Sequence, residues 1–249
     1  MQDAHFWYRG RHRFLLAALE RHLGRLALPA GTLNAVDLGA GCGGWVDYLL
    51  RHSSLRFREL SLADSSPKAL QFAGAVAGSR VRRFQVDLLD LGWQDRWDVV
   101  FLLDVLEHIP DQNAVMKQIH DCLAPNGLLF LTAPALNCFW SYVDVLARHQ
   151  RRYSVRDLKS LADQCGLALL EARYFMFFLS PLSYLTRFRR PRLESASADE
   201  RRKLLEQALR VPAKPINALL RFIFSMETPL GHWAPFPWGT SVLGVFQKK

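Results

Sequence analysis

Apolar positions along the chain recur with two periods, and the switches between them lay out its elements. From about residue 5 to 25, Phe14, Leu15, Ala18, Leu19 and Leu23 fall at helical spacing with arginines between them. That pattern predicts an amphipathic helix, opening on the aromatic run Phe6-Trp7-Tyr8. Pro29-Ala30-Gly31 breaks it. Short apolar runs then appear at 33–38, 60–63, 81–86, 97–103 and 128–132, each read as a strand. Helical patterns separate them at 44–52, 67–77 and 111–123, the second opened by Ser66 as N-cap and Pro67 at the first helical position. Pro125-Asn126-Gly127 reads as a turn. Strands alternating with helices at this spacing predict βαβ units and a parallel sheet.

Past residue 134 the pattern loosens. A short helix is expected at 139–147. Ser154-Val155-Arg156-Asp157 reads as a capping box opening a helix to 164, which Gly166 ends. A strand follows at 167–174. Residues 175–185 are the most apolar stretch, followed at once by Arg187, Arg189, Arg190 and Arg192. Helices are expected at 199–210 and 214–226, then an aromatic loop with Trp233, Phe236 and Trp238, then a strand at 242–246. The chain reads as one domain over 1–249. Residues 1–30 form a helical lid, 31–174 a ligand-binding core, 175–240 a helical and apolar insertion, and 241–249 the final strand. A connection as long as the insertion is usually functional.

Composition narrows this moderately. Half of the 249 residues are apolar and 22% are charged, so a sizeable core is available and global disorder is excluded. The net charge of +9 favours anionic partners: phosphates, membrane surfaces or nucleic acid. Cys42, Cys122, Cys138 and Cys165 are widely spaced, with no C-x-x-C pair and no metal-ligand spacing. The expectation is free thiols, a reducing cytoplasmic compartment and no metal. The N-terminal residues lack a basic segment followed by an apolar one, so no secretion signal is expected. No apolar run reaches the roughly 18–20 residues of a spanning helix.

The chemistry concentrates in Val36-Asp37-Leu38-Gly39-Ala40-Gly41-Cys42-Gly43-Gly44-Trp45. Glycines at this density let a backbone turn sharply and lie close to a ligand, and the helix that follows offers free N–H groups. Gly39-x-Gly41-x-x-Gly44 satisfies the dinucleotide pattern, with Asp64 about 20 residues further on. NAD or FAD is therefore allowed, while a phosphate-binding Walker loop is excluded because no Gly-Lys-Ser/Thr follows. Charge separates the remaining options. A pyrophosphate would face the Asp37 carboxylate at the mouth of the loop, whereas S-adenosylmethionine (SAM) brings a sulfonium and an ammonium. Asp37, Asp64, Asp87 and Asp104 each end a predicted strand or lie just beyond it, at the sheet edge where open α/β folds bind ligands.

These residues carry a resemblance. Asp37-x-Gly39-x-Gly41-x-Gly43 resembles motif I of the class I SAM-dependent methyltransferases. Asp64, Asp87 and Asp104-Val105-Leu106-Glu107-His108-Ile109 fall where that family has its later motifs, and the last is similar to a small-molecule branch that includes ubiquinone-biosynthesis methyltransferases. The match spans residues 33–134. It implies a Rossmann-like α/β fold with a mostly parallel seven-stranded sheet flanked by helices; here an insertion separates the last two strands, which form a hairpin in the family. Position by position, it implies that Gly39 and Gly41, with Gly43, hold the methionine part of SAM, ordered by Asp37. Asp64 takes the ribose hydroxyls. Asp87 and the Leu88 amide take the adenine. The Leu103 carbonyl and Asp104 lie near the ammonium. The product is S-adenosylhomocysteine.

On the acceptor side, methyl transfer from a sulfonium is an in-line displacement that depends on alignment and exclusion of water. A base is needed only if the acceptor loses a proton, and His108 and His149 are the candidates. Arg151, Arg152 and Tyr153 beside His149 suit a phosphate or carboxylate, and Trp7 and Tyr8 suit a lid. A similar H-x-R-R-Y-S segment with an aromatic N-terminus occurs in a bacterial subgroup of these methyltransferases, many associated with cell-envelope or polysaccharide synthesis. The expected acceptor is a small, anionic or lipid-linked molecule. The apolar run beside arginines at 175–192 fits a protein peripheral to an anionic membrane. An RNA methyltransferase and a non-catalytic SAM-fold binding protein are the alternatives. The absence of an Asn/Asp-Pro-Pro-aromatic motif weighs against nucleic acid, and the intact cofactor loop against loss of turnover.

Overall fold

A computed structural model describes residues 4–26, 31–78, 81–186, 188, 191, 193 and 196–249. Arg187, Arg189, Arg190 and Arg192 lie outside these described residues. Helix α1 (Phe6–Leu26) precedes an alternating series: β1 (Leu33–Leu38), α2 (Gly44–His52), β2 (Phe57–Asp64), α3 (Pro67–Ala77), β3 (Arg82–Gln85), β4 (Trp97–Leu103), α4 (Gln112–Cys122) and β5 (Leu123–Pro134). Then come α5 (Tyr142–Ala147), α6 (Val155–Gln164), β6 (Leu167–Phe175), α7 (Ser180–Thr186), α8 (Ala198–Ala208), α9 (Lys214–Trp233) and β7 (Ser241–Lys248).

The strands form one sheet in the order β3-β2-β1-β4-β5-β7-β6. The first five are parallel, and β7 inserts antiparallel between β5 and β6. This is the expected seven-stranded, mostly parallel sheet, with the helical insertion before its last strand. Strands β1 and β4 read as continuous apolar runs because helices cover both of their faces. One face packs Leu62, Phe101 and Phe130 against α1 and α2, through Phe14, Leu19 and Trp45. The other packs Val36, Leu102 and Leu131 against α4 and α6, through Met116, Ile119 and Leu158.

Local signals hold well. The Ser66 hydroxyl accepts from the Ala69 amide at 3.2 Å, and Ser154 and Asp157 form the capping box on α6. Two boundaries differ. Strand β5 runs through the predicted Pro125-Asn126-Gly127 turn, because a register shift opposite Trp97–Val99 absorbs it as a bulge, with Asn126 at φ 61°. Helix α9 continues past residue 226 because Glu227, Thr228 and Gly231 stay buried.

Helices α1 and α9 pack directly together. Phe14 stacks on His232 with ring centroids 4.2 Å apart, and the Asn217 side chain bonds the Phe6 amide at 2.9 Å and the Ala4 carbonyl at 2.7 Å. The N-terminal helix and the insertion are therefore packed against each other.

Candidate active site

The glycine loop leaves β1 with Gly39, Gly41 and Gly43 all left-handed, at φ 69°, 53° and 76°. A Cβ on Gly39 would lie 2.5 Å from Val105, so the residue is needed for space as well as conformation. The Gly39 and Ala40 amides donate to the Ala63 carbonyl at 2.8 and 3.1 Å. Asp64 ties the loop to β2 by accepting from the Gly41 amide at 2.8 Å with one oxygen and from the Ser66 amide at 2.8 Å with the other.

Asp37 is buried at the base of this loop, 3% exposed. Burial raises its pKa to about 7; Arg11 pulls in the opposite direction and Asp64 adds to the rise. Asp104 follows β4 in a left-handed conformation, φ 56°, and pairs with the Arg11 guanidinium while accepting from the Thr132 hydroxyl at 3.3 Å. Arg11 is itself buried, with its guanidinium carbon 5.0 Å from the Trp7 ring centroid and 5.6 Å from that of Tyr8. Sequence reasoning missed Arg11. The signal was present, since position 11 falls on the same helical face as Phe14, Leu15 and Ala18, where a charge requires a partner.

The turn after β4 carries Glu107 and His108. Glu107 is 1% exposed, and burial, then the neighbouring Asp104, hold its pKa well above the carboxylate range. Burial and His149 lower His108. The His108 and His149 rings lie 4.8 Å apart, nearly perpendicular. His149 Nδ1 sits 2.9 Å from Asp144, which also accepts from Arg152 at 2.8 and 3.0 Å. Burial alone would raise Asp144, but the hydrogen bonds from His149 and Arg152 outweigh it and bring the carboxyl to about 2.

These groups share one cavity of about 630 Å³. Of the predicted residues, Trp7, Tyr8, Asp37, Gly39, Gly41, Leu103, Asp104, His108, His149 and Arg152 line it. Gly43, Asp64, Asp87, Leu88, Arg151 and Tyr153 are not among its lining. Asp87 is exposed beyond β3, where its carboxylate accepts from the Leu89 amide at 2.9 Å. Arg151 donates to the Pro110 carbonyl at 2.7 Å. Tyr153 corrects the expectation of a substrate contact. Its ring is packed in the second core and its hydroxyl donates to Gln112 at 2.9 Å, so it braces the loop rather than facing an acceptor. The far wall comes from the insertion, through Leu182, Leu205, Leu209, Arg210 and Pro212.

The strand order, the acid-flanked glycine loop and the cavity opening at the carboxyl edge define a class I SAM-dependent methyltransferase fold. The chain belongs to the methyltransferase domain family, whose model matches residues 6–172. It is 27% identical over 136 residues to phosphoethanolamine N-methyltransferase 2 of Caenorhabditis elegans, covering 51% of this chain and 30% of that protein. It is also 27% identical over 108 residues to a ubiquinone biosynthesis O-methyltransferase of Bordetella avium, covering 41% of this chain and 44% of that one. The chain thus spans less than half the length of these curated relatives. Among solved structures, the N-methyltransferase NodS of Bradyrhizobium japonicum in complex with S-adenosyl-L-homocysteine superposes with a TM-score of 0.56 at 15% identity, over 97% of this chain and 87% of that one.

Proposed function

We propose that this protein transfers the sulfonium methyl group of SAM, by in-line displacement, to a small amphiphilic acceptor, releasing S-adenosylhomocysteine. One observation carries the reading. A single cavity runs from the cofactor loop at Asp37, Gly39 and Gly41 to the insertion wall at Leu182, Leu205 and Leu209. Donor and acceptor can therefore meet in one cavity, as displacement requires. Asp37 orders the methionine part, Leu103 and Asp104 lie near its ammonium, Asp64 takes the ribose, and Asp87 with Leu88 the adenine along the ends of β2 and β3. On the acceptor side, Arg152 and Arg210 favour an anionic group, and Leu205, Leu209 and Phe139 favour an apolar body. His108 and His149 are the proton acceptors if the acceptor must lose one. The relatives named for phosphoethanolamine and for ubiquinone biosynthesis support an acceptor that is anionic or lipid-like.

An acceptor reached from a cytoplasmic membrane face fits the outer surface. Along α9, Ile216, Leu219, Phe222, Met226, Leu230 and Trp233 are exposed at helical spacing, and Leu182, Leu185 and Phe188 are exposed on the preceding segment. Such a stripe on a chain of net charge +9 suits an anionic bilayer. No described helix is long and apolar enough to cross a membrane.

Thermal shift with SAM, S-adenosylhomocysteine and NAD tests the cofactor assignment. SAM at 100 times its Kd should stabilise the chain by about 2.7 kcal/mol, and a response to NAD alone overturns the reading. Flotation with anionic liposomes tests the surface. Replacing Phe222 and Met226 by Asp should abolish it, and flotation that persists rules the stripe out.

A further inference from the structure

Three donor side chains converge on the acceptor side of the cavity from two distant segments. Glu107 and His108 belong to the short helical turn after β4, and His149 to the loop after α5. A carboxylate oxygen and two imidazole nitrogens, one from each, lie within 4.8 Å of one another. Two further observations point to a cation. First, Glu107 lines the cavity at 1% exposure, yet its Oε2 has no hydrogen-bond partner among the described residues. A buried polar atom left so is unfavourable, and a cation at that oxygen offsets the cost.

Second, one of the two histidines, His149, is oriented from behind. His149 Nδ1 is engaged by Asp144, which Arg152 and the Ser141 amide (2.8 Å) hold in turn. Its Nε2 is left for the cavity. A carboxylate behind an imidazole is the arrangement that fixes tautomer and ring orientation in metal-binding histidines.

We propose that Glu107, His108 and His149 bind one divalent first-row metal ion of the zinc, cobalt or manganese kind, with open coordination positions facing the cavity. Two imidazoles and one carboxylate favour such ions over magnesium and calcium, which prefer oxygen ligands. Three protein ligands leave room for water or a substrate atom. An ion here takes the lone pairs that the two histidines would otherwise offer to a proton, so it replaces them as bases. Its service to the acceptor rests on the methyltransferase reading above; the binding itself does not. The cluster was invisible to a search for cysteine pairs and close spacing because β5 and α5 separate His149 from the other two ligands.

The test uses the full chain free of any affinity tag, stripped by chelator and titrated with Co²⁺ in the absence of SAM. One equivalent should bind with visible ligand-field bands, and Zn²⁺ but not an equal concentration of Mg²⁺ should displace it. His149→Ala and the near-isosteric Glu107→Gln should each weaken Co²⁺ binding at least about tenfold, and Asp144→Asn by roughly 10- to 100-fold, with unchanged circular dichroism. Absent bands and absent binding heat overturn the site. So does an affinity that Glu107→Gln and His149→Ala leave unchanged. SAM calorimetry on the same samples separates the two readings. SAM binding without metal binding overturns the metal site alone, and metal binding without SAM binding supports the site while overturning the methyltransferase reading.

Discussion

A carboxyl group buried beside a proposed cation-binding position has two opposed preferences, and Asp37 is such a group. Folding of the ligand-free chain favours its protonated form, since burial raises the folded pKa from 3.8 to about 7. Stability from this residue is therefore full below the unfolded value and is lost as pH rises towards 7. On the proposed reading Asp37 orders the positively charged methionine part of SAM, which prefers the ionised form, so cofactor affinity should rise across the same interval. Asp37→Asn should raise the melting temperature of the ligand-free chain at about pH 8. It should also weaken SAM by roughly 10- to 100-fold, the scale of a lost charge-assisted hydrogen bond. Melting curves and calorimetry at two pH values check both signs, with Arg11 and Asp64 as the neighbouring charges. Asp64 differs because its oxygens already hold the Gly41 and Ser66 amides. Asp64→Ala should leave the chain folded and reduce SAM affinity at least about tenfold, measured by the same titration. These acids were legible because each ends a strand. Arg11 carried a signal in its place on the apolar face of α1, while Glu107 did not, since burial rather than residue type gives it its role.

Among elements, the α1–α9 contact is where the N-terminal helix meets the insertion. Gly10 of α1 lies against Phe224 of α9 so closely that a Cβ would fall 2.0 Å from the ring. Gly24, in the same helix, has nothing within 4 Å of its would-be Cβ. The two glycines should therefore respond with opposite signs. Gly10→Ala should destabilise by about 1–3 kcal/mol through overpacking. Gly24→Ala should stabilise by about 0.4–1 kcal/mol by restricting the unfolded chain. Denaturant unfolding reads both, and equal effects would contradict the packing. Helix α1 was legible from its apolar period. Its partner was not, because a period shows that a face is buried without naming what covers it. The bulge in β5 was misread for a related reason: Pro-Asn-Gly specifies a local kink, and only the pairing with β4 decides whether the strand continues.

For the whole molecule, Glu171 on β6 joins separate parts of the chain. It accepts from Arg21 at 2.6 Å and lies 2.7 Å from the His22 ring on α1, while Arg173 donates to it at 2.5 Å. Burial pushes this carboxyl upward, but His22, Arg21 and Arg173 outweigh it and hold it at about 2, down from 4.5. Its contribution to stability is present above the unfolded value and is lost as pH falls through the folded one. The chain should lose stability between about pH 4.5 and about pH 2. Glu171→Gln should remove part of that slope, leaving the share due to Asp144. Urea midpoints across the interval check this. The parallel sheet and the edge that carries the acids were legible from strand alternation and terminal acids. The acceptor wall was not, because the insertion folds onto the site through contacts distant in sequence.

Strand β7 lies between β5 and β6 and pairs with both. It is made after both, once α7, α8 and α9 have left the ribosome. Until it arrives, β5 has an open edge and β6 has no strand to pair with, and open edges template pairing with other chains. The insertion thus lengthens the interval in which the nascent protein needs protection. Its apolar helices are exposed during that same interval, so crowding the acceptor wall with hydrophobic side chains has a kinetic consequence as well as a chemical one.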